Sequence, residues 1–470
     1  MRDRIIVLIV FAVISLVSAG LVTAAAPQVS TVQARAGAAS PKATSAPKAT
    51  SASKVTSAMT HTAFLPLVIN CYPRQGPDPD FGYQYDMSLI HADAAWGVCS
   101  LNTSKVTIAI IDTGVDLTHP DLQANLLPGY DFVDHDTVPQ DLNGHGTNVA
   151  GIAAAALNGI GVAGVAPTAR ILPVRVLNQY GAGSYSDIAA GITYAADRAQ
   201  VLNLSLGGIV DSQTLLNAIN YAVNTRRRLV GAAAGNCGDS NYPANGCQSQ
   251  NQVFYPAAYS NVMAVAATTA YDTRASFSNV GSYVDIAAPG VNIYNTYIGN
   301  SYIDESGTSQ ATPHVAGLAA LVWAKNPGYT ASQVWNRITS TAVDLGTPGV
   351  DPSFGAGRID VQQALGLTLA QVNAPEVNPV KATRGALVGQ WTAPIAAGHI
   401  IVKFKDTVNQ ALLTQRLAEL SDATVDRSIA AIGAIVLNVP VGAEWKLVDQ
   451  LRAQADVEYA EPDYILHFLR

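Results

Sequence analysis

Charge is what this sequence has least of. Asp, Glu, Lys and Arg supply 13 % of its 470 residues, about half the share in an ordinary soluble protein, so a disordered, solvated chain is excluded. The balance is also acidic. With 27 basic and 34 acidic residues the formal charge is −7, and the cationic surface that nucleic acid requires is missing, so no nucleic-acid partner is expected. Cysteines number four and form no CxxC pair, which makes a thiolate metal site a poor reading. After the first 22 residues no stretch is apolar enough to span a bilayer. Apolar residues, by contrast, make up 49 % of the chain and glycines number 38, which favours close-packed, turn-rich α/β architecture. The length suggests two or three domains at about 150 residues each.

Residues 1–26 run from Met1-Arg2-Asp3-Arg4 through an apolar run, Ile5 to Val22, to Ala24-Ala25-Ala26. This reads as a cleaved secretory signal, with an uncleaved anchor as the alternative, and makes the expected location secreted or extracellular. Residues 27–77 read as a low-complexity spacer built on Pro41-Lys42-Ala43-Thr44-Ser45-Ala46 and its imperfect copies. An even set of cysteines in an exported chain favours disulfides. Four cysteines allow three connectivities. Cys71 with Cys99 and Cys237 with Cys247 is preferred, because the second pair closes a short loop rich in Gly, Asn and Pro.

From about Val106 to Leu365, short apolar runs alternate with amphipathic stretches, the pattern of strand, crossover helix, strand in a buried parallel sheet. Strands are expected at Val106 to Ile111, Ile171 to Leu177, Val201 to Leu206, Leu229 to Ala234 and Val262 to Ala267. Helices are expected at Ser186 to Ala199 and Ser212 to Thr225, each opened by a serine cap. The fold class is α/β: a doubly wound parallel sheet with helices on both faces. Reactive groups gather beyond the carboxyl ends of such strands.

Four polar residues stand at such ends. Asp112 closes the run Val106 to Ile111, where a carboxylate can orient a histidine. His145 lies in Asn143-Gly144-His145-Gly146-Thr147, between glycines that leave the imidazole room. Asn236 follows Ala232-Ala233-Ala234-Gly235. Ser309 opens an apolar helix that runs on to Trp323, so its backbone N–H lies at the positive end of a helix dipole, ready for an oxyanion. Each residue alone also fits a cap or a turn; the four together, in the order Asp, His, Asn, Ser, do not.

These motifs closely resemble the subtilase family of serine peptidases over roughly Asp78 to Leu367. The order Asp, His, Ser differs from the Ser, Asp, His order of α/β-hydrolases. The resemblance implies a peptidase domain at 78–367 in which Ser309 is the nucleophile, His145 the general base and then acid, Asp112 its orienting group and Asn236 an oxyanion donor. It further implies that extended polypeptide substrates lie along Gly183, Ser184 and Tyr185 and along Ser205, Leu206 and Gly207. Ala233, Ala234 and Gly235 would line the pocket for the residue before the cut bond, and Phe254 would narrow it. Asn148 and Gln310 depart from the family pattern, which usually has His and often Met there. An inactive subtilase-like binding protein is the rival reading.

Asp131, Asp134, Asp136 and Gln140, with the Val138 carbonyl, resemble a calcium loop of thermostable subtilases, and hard oxygen ligands suit Ca²⁺. A second calcium loop common in the family falls near 157–162, one residue short here. No organic cofactor is expected.

Residues 368–397 read as a linker, and 398–470 as a small separate domain. Strands at Ile400 to Phe404 and Val457 to Ile465, a hairpin at Ala430 to Val439, and helices at Ala411 to Leu420 and Trp445 to Ala453 make a βαββαβ, ferredoxin-like α+β pattern. His399 to Lys405 and Val457 to Tyr464 resemble the opening and close of the subtilase inhibitory propeptide. In the family this unit precedes the peptidase. Here it follows, which implies an intramolecular inhibitor and folding chaperone in a monomer, or a vestigial remnant.

Overall fold

The computed structural model describes residues 78–96, 101, 103–239, 247–367, 394–420 and 423–467. The expected signal, the spacer and the Cys71–Cys99 pair lie outside the described residues.

Seven strands form one sheet in the order Tyr130–Asp131, Arg170–Arg175, Thr107–Asp112, Val201–Leu204, Leu229–Ala233, Met263–Thr268, Ile286–Pro289. Every neighbouring pair is parallel. The five expected strands are the five inner ones. Their residues are buried on both faces, which is why they read as unbroken apolar runs. The two outer strands escape the sequence pattern: one has two residues, too few for any period, and the other is Ile-Ala-Ala-Pro.

Helices Tyr185–Ala196 and Gln213–Asn220 pack on one face of the sheet, and helices His145–Ala154 and Thr308–Lys325 on the other. The Ser212 hydroxyl accepts the Leu215 N–H at 3.1 Å, a cap where the sequence places one. The first helix instead starts at Tyr185 and is capped by Ser184, because the Ser186 hydroxyl is engaged elsewhere. The helix Thr308–Lys325 is buried from Thr308 to Val322. Pro313 offers no N–H to the carbonyl four residues back, that of Ser309. The Ser205 hydroxyl donates to this carbonyl at 2.7 Å instead.

Residues 394–467 build a second sheet in the order Thr424–Ile429, Ala434–Asn438, Ile395–Phe404, Val457–His467, antiparallel throughout. Helix Glu444–Arg452 closes its core through Val448 and Leu451 against Ile400, Val402 and Leu437. The hairpin lies earlier than the sequence suggests: its first strand is Thr424–Ile429, and Ala430–Ile432 is a 3₁₀ turn. That strand is mostly polar, its first three residues are exposed and only Ile429 is fully buried, so it carries no apolar alternation. Strand Ala182–Ser184 of the larger sheet domain joins this sheet as a fifth member, beside Val457–His467. Among the described residues no helix is long and apolar enough to cross a membrane.

Candidate active site

Asp112 ends its strand fully buried, and His145 begins a helix whose preceding residue, Gly144, has φ +112°. That conformation favours glycine, and a Cβ there would also lie 2.2 Å from the Tyr297 ring. The turn presents the imidazole to the carboxylate: His145 Nδ1 donates to Asp112 Oδ1 at 2.8 Å, and the Thr113 N–H donates to the same oxygen at 2.7 Å. Burial pulls the His145 pKa down, but the Asp112 carboxylate, with Glu305 and Asp141 behind it, outweighs burial and raises it above the ordinary value.

Ser309 is the second residue of its helix and is 5 % exposed. Its hydroxyl donates to the Ser205 carbonyl at 3.0 Å, so residues 205 and 309 hold each other by two bonds of opposite direction. Asn236 is fixed by its carbonyl end: Oδ1 accepts from the Thr308 N–H at 3.0 Å and from the Thr308 hydroxyl at 2.7 Å. The amide end therefore faces away from Thr308, and a Cβ built on Gly307 would lie 3.3 Å from Asn236 Nδ2. Thr308, the first residue of that helix, is not singled out by the sequence. Its work in orienting Asn236 leaves no local signal there.

Gly183 and Ser184 lie on the edge strand that receives Val457–His467, with Leu466 opposite Gly183 and Ile465 opposite Ser184. Tyr185 is buried, its hydroxyl donating to the Val210 carbonyl at 3.2 Å. Ser205, Leu206 and Gly207 follow one inner strand; Ala233 ends the next, and Ala234 and Gly235 follow it. The Phe254 ring fills the space between these segments, 2.8 Å from a Cβ built on Gly207 and 2.9 Å from one on Gly235. Cys237 and Cys247 are disulfide-bonded just beyond. The two departures from the family pattern touch: Gln310 Nε2 donates to Asn148 Oδ1 at 3.4 Å.

The acidic loop is already satisfied. Arg175 Nη1 donates to Asp131 Oδ2 and to Asp134 Oδ2, both at 2.6 Å. Asp136 accepts the Val138 N–H at 2.7 Å. Gln140 accepts from the Leu117 N–H and donates to the Asp141 carbonyl, both at 3.2 Å. Density of carboxylates along the chain did not reveal the arginine 44 residues away.

Asp78 and Asp121 stand differently. Asp78 Oδ1 accepts the Gly159 N–H at 2.6 Å, and Asp121 Oδ2 accepts the Val162 N–H at 3.0 Å and the Tyr302 hydroxyl at 2.8 Å. Their other oxygens, Asp78 Oδ2 and Asp121 Oδ1, are buried with no hydrogen-bond partner. Burial, with Asp121 adding its charge, pushes the Asp78 pKa up to about 6. Among the described residues no group of three or more His, Cys, Asp or Glu is arranged to hold a metal.

Two carboxylates of the last strand reach across to helix ends of the larger domain. Glu461 accepts from the Ser212 hydroxyl at 2.7 Å and from the N–H groups of Gln213 and Thr214 at 3.1 and 3.0 Å. Asp463 accepts from the Ser186 N–H at 3.0 Å and its hydroxyl at 2.5 Å. Both sit where a helix N-terminus favours negative charge. Arg427 adds bonds to the Ser186 hydroxyl at 2.6 Å and Asp187 at 2.7 Å.

A buried carboxylate bonded to an imidazole, a serine opening a buried helix and a fixed asparagine amide are the equipment of a serine hydrolase. The model of the subtilase family matches residues 103–357, and the chain belongs to that family. Residues 381–463 match the fervidolysin N-terminal prodomain. The chain is 49 % identical over 286 residues to the thermophilic serine proteinase of Bacillus sp. (strain AK1), covering 60 % of this chain and 67 % of that one. It is 46 % identical over 291 residues to thermitase of Thermoactinomyces vulgaris, covering 61 % and 98 %. To subtilisin Savinase of Lederbergia lenta it is 44 % identical over 281 residues, covering 60 % and 97 %.

Proposed function

We propose that this subtilisin-like serine peptidase is a secreted, monomeric endopeptidase that cuts extended polypeptides through an acyl-enzyme. Ser309 Oγ attacks the carbonyl carbon while His145 takes its proton. Asn236 Nδ2 and the Ser309 N–H receive the oxyanion, and His145 returns the proton to the leaving amine. Water then hydrolyses the ester with the roles reversed. Asp112 keeps the imidazole in the tautomer whose Nε2 can accept. The observation that carries this reading is the 2.8 Å bond between His145 and Asp112, at strand and helix ends of the sheet that also presents Asn236 and Ser309.

Residues 398–470 act on this reading as a ferredoxin-like inhibitor and folding chaperone, tethered through residues 368–397 to the peptidase domain at 78–367. The tether holds the inhibitor at an effective concentration on the order of millimolar. The last strand occupies the edge Ala182–Ser184 as an extended peptide does. Calcium fits Asp78 and Asp121, whose unpartnered buried oxygens are hard ligands. Bound there it supplies charge neutralisation and a brace for the loop at 157–162. It is not assigned to the loop of Asp131, Asp134, Asp136, Val138 and Gln140, where a guanidinium already sits.

A fluorophosphonate should label Ser309 once the tether is cut, and His145→Ala should abolish the labelling. Replacing Ser309 with Ala should lower kcat by about 10⁶, the size known for subtilisin itself. Undiminished proteolysis in Ser309→Ala would sink the assignment.

A further inference from the structure

Beside the nucleophile, three side chains form a chain of contacts that the peptidase reading leaves without a task. Gln310 follows Ser309, and its amide donates to Glu305 Oε2 at 3.0 Å as well as to Asn148 Oδ1. Asn148 lies one turn along the helix that His145 begins, and its amide donates to the Thr296 carbonyl at 3.3 Å. Glu305 is thus fixed against the helix of the nucleophile, through the same Gln310 amide that reaches the helix of the imidazole. It is half-buried at the end of strand Ser301–Glu305, which pairs with Ile293–Tyr297. Its charge already acts on the imidazole, since it helps raise the His145 pKa.

The position of Glu305 across the cleft decides what that charge meets. Leu466, paired opposite Gly183, packs with Tyr185 and Leu206 in the core on one face of the sheet. That wall takes the chain before the cut bond. The hairpin carrying Glu305 packs through Ile293, Tyr294 and Tyr302 with Val149 and Ile152 in the core on the other face. Ser309 is bonded to Ser205, beside Leu206 of the first wall, and its neighbour Gln310 is bonded to Glu305 of the second. The amine released when the C–N bond breaks takes its proton from His145, so the residue attached to that amine lies on the His145 side, where Glu305 stands.

We propose that Glu305 is a specificity-determining residue, its carboxylate favouring substrates with Lys or Arg, and disfavouring Asp or Glu, immediately after the cut bond. The inference rests on the peptidase reading and deepens it. The network makes Glu305→Gln a clean test, because glutamine keeps an oxygen to accept from Gln310 while losing the charge.

The experiment measures kcat/KM of the chain with its tether cut, at a dilution where residues 398–470 are released, on quenched fluorescent peptides that differ only in the residue after the cut bond: Arg, Leu or Asp. It is run at a pH where activity has reached its plateau, so that His145 protonation does not enter. The expected Arg to Asp ratio is about tenfold, the size of one charge-assisted contact. It should fall to within about twofold in Glu305→Gln, with the Leu peptide changed less than about threefold, and should reverse in Glu305→Lys. Cleavage of the Leu peptide, abolished by Ser309→Ala, carries the peptidase reading separately. With that cleavage present, an Arg to Asp ratio unmoved by both substitutions overturns the proposal and leaves the peptidase standing.

Discussion

Asp112 and Asp463 are both buried aspartates carried on strands, and both hold a helix start in place. Their partners differ. Asp112 faces an imidazole, which can carry the opposite charge. Asp463 is held by the N–H and hydroxyl of Ser186, which satisfy its oxygens without neutralising them. Burial, with Asp187 adding its charge against the help of Ser186 and Arg427, pushes the Asp463 pKa up to about 6. Hydrogen bonds alone do not make a buried charge comfortable. The contact inside the peptidase pairs its carboxylate with a group that can take the opposite charge, whereas the contact between the two domains is built to titrate.

Removing the charge of Asp112 breaks the first half of this comparison. Asp112→Asn keeps the shape but leaves His145 Nδ1 facing an amide that fits the wrong tautomer equally well. A fall in kcat of about 10⁴ on a peptide substrate is expected, the order found for the equivalent change in serine peptidases. Stopped assays on purified protein measure it, and a loss under tenfold would show that the bond does not set the tautomer.

The second half predicts a pH-dependent clasp. Free in water a carboxylate titrates near pH 4, while docked Asp463 titrates at about 6. The docked state therefore holds its proton more tightly, and protonation favours docking. This contribution is fully present below about pH 4 and is lost as pH rises through 6, a weakening of up to about 100-fold for two pKa units. Asp187, also raised mainly by burial, works in the same direction, opposed by Arg427, His135 and His399. The measurement is the dissociation constant between the halves of a Ser309→Ala chain nicked in the tether, from pH 4 to 7. Asp463→Asn should flatten most of the dependence. A constant that is flat in the unaltered Asp463 protein would refute the clasp.

What the sequence made legible follows the same division between near and far. The five inner strands, the Ser212 cap and the positions of Asp112, His145, Asn236 and Ser309 all show in runs of fewer than ten residues, because burial on both faces and strand-end turns leave local patterns. The grip of Thr308 on Asn236, the meeting of Gln310 with Asn148 and Glu305, and the reach of Arg175 to Asp131 join segments distant in the chain. No window of sequence holds both partners. The acidic loop shows the same limit: two of its three aspartates, close in sequence, meet one arginine close in space. The shift of the helix cap from Ser186 to Ser184 has the same origin, since Asp463 claims Ser186 from 277 residues away.

Asp78 and Asp121 supply a third case, in which oxygens have neither a cation nor a hydrogen bond. If calcium completes them, the sign of one substitution must depend on the ion. With a chelator present, unaltered protein carries two buried carboxylates whose charges repel, and Asp78→Asn relieves part of that repulsion. With calcium present, the same substitution removes a ligand. Thermal unfolding should therefore show Asp78→Asn more stable than the unaltered chain in chelator, by a few degrees at most, and less stable than it in millimolar calcium. Bound ligand at about 1,000 times its Kd stabilises by about 4 kcal/mol, and about 2–4 °C per kcal/mol is ordinary for a domain of this general size, so the calcium arm should be the larger. Because the Asp78 pKa is raised to about 6, the chelated protein should also gain stability as pH falls from about 6 toward 4, where an ordinary ion pair would lose it. Curves that keep the same order in chelator and in calcium would mean that the two aspartates are merely buried, and that their place beside Asp112 and Asp463 needs another explanation.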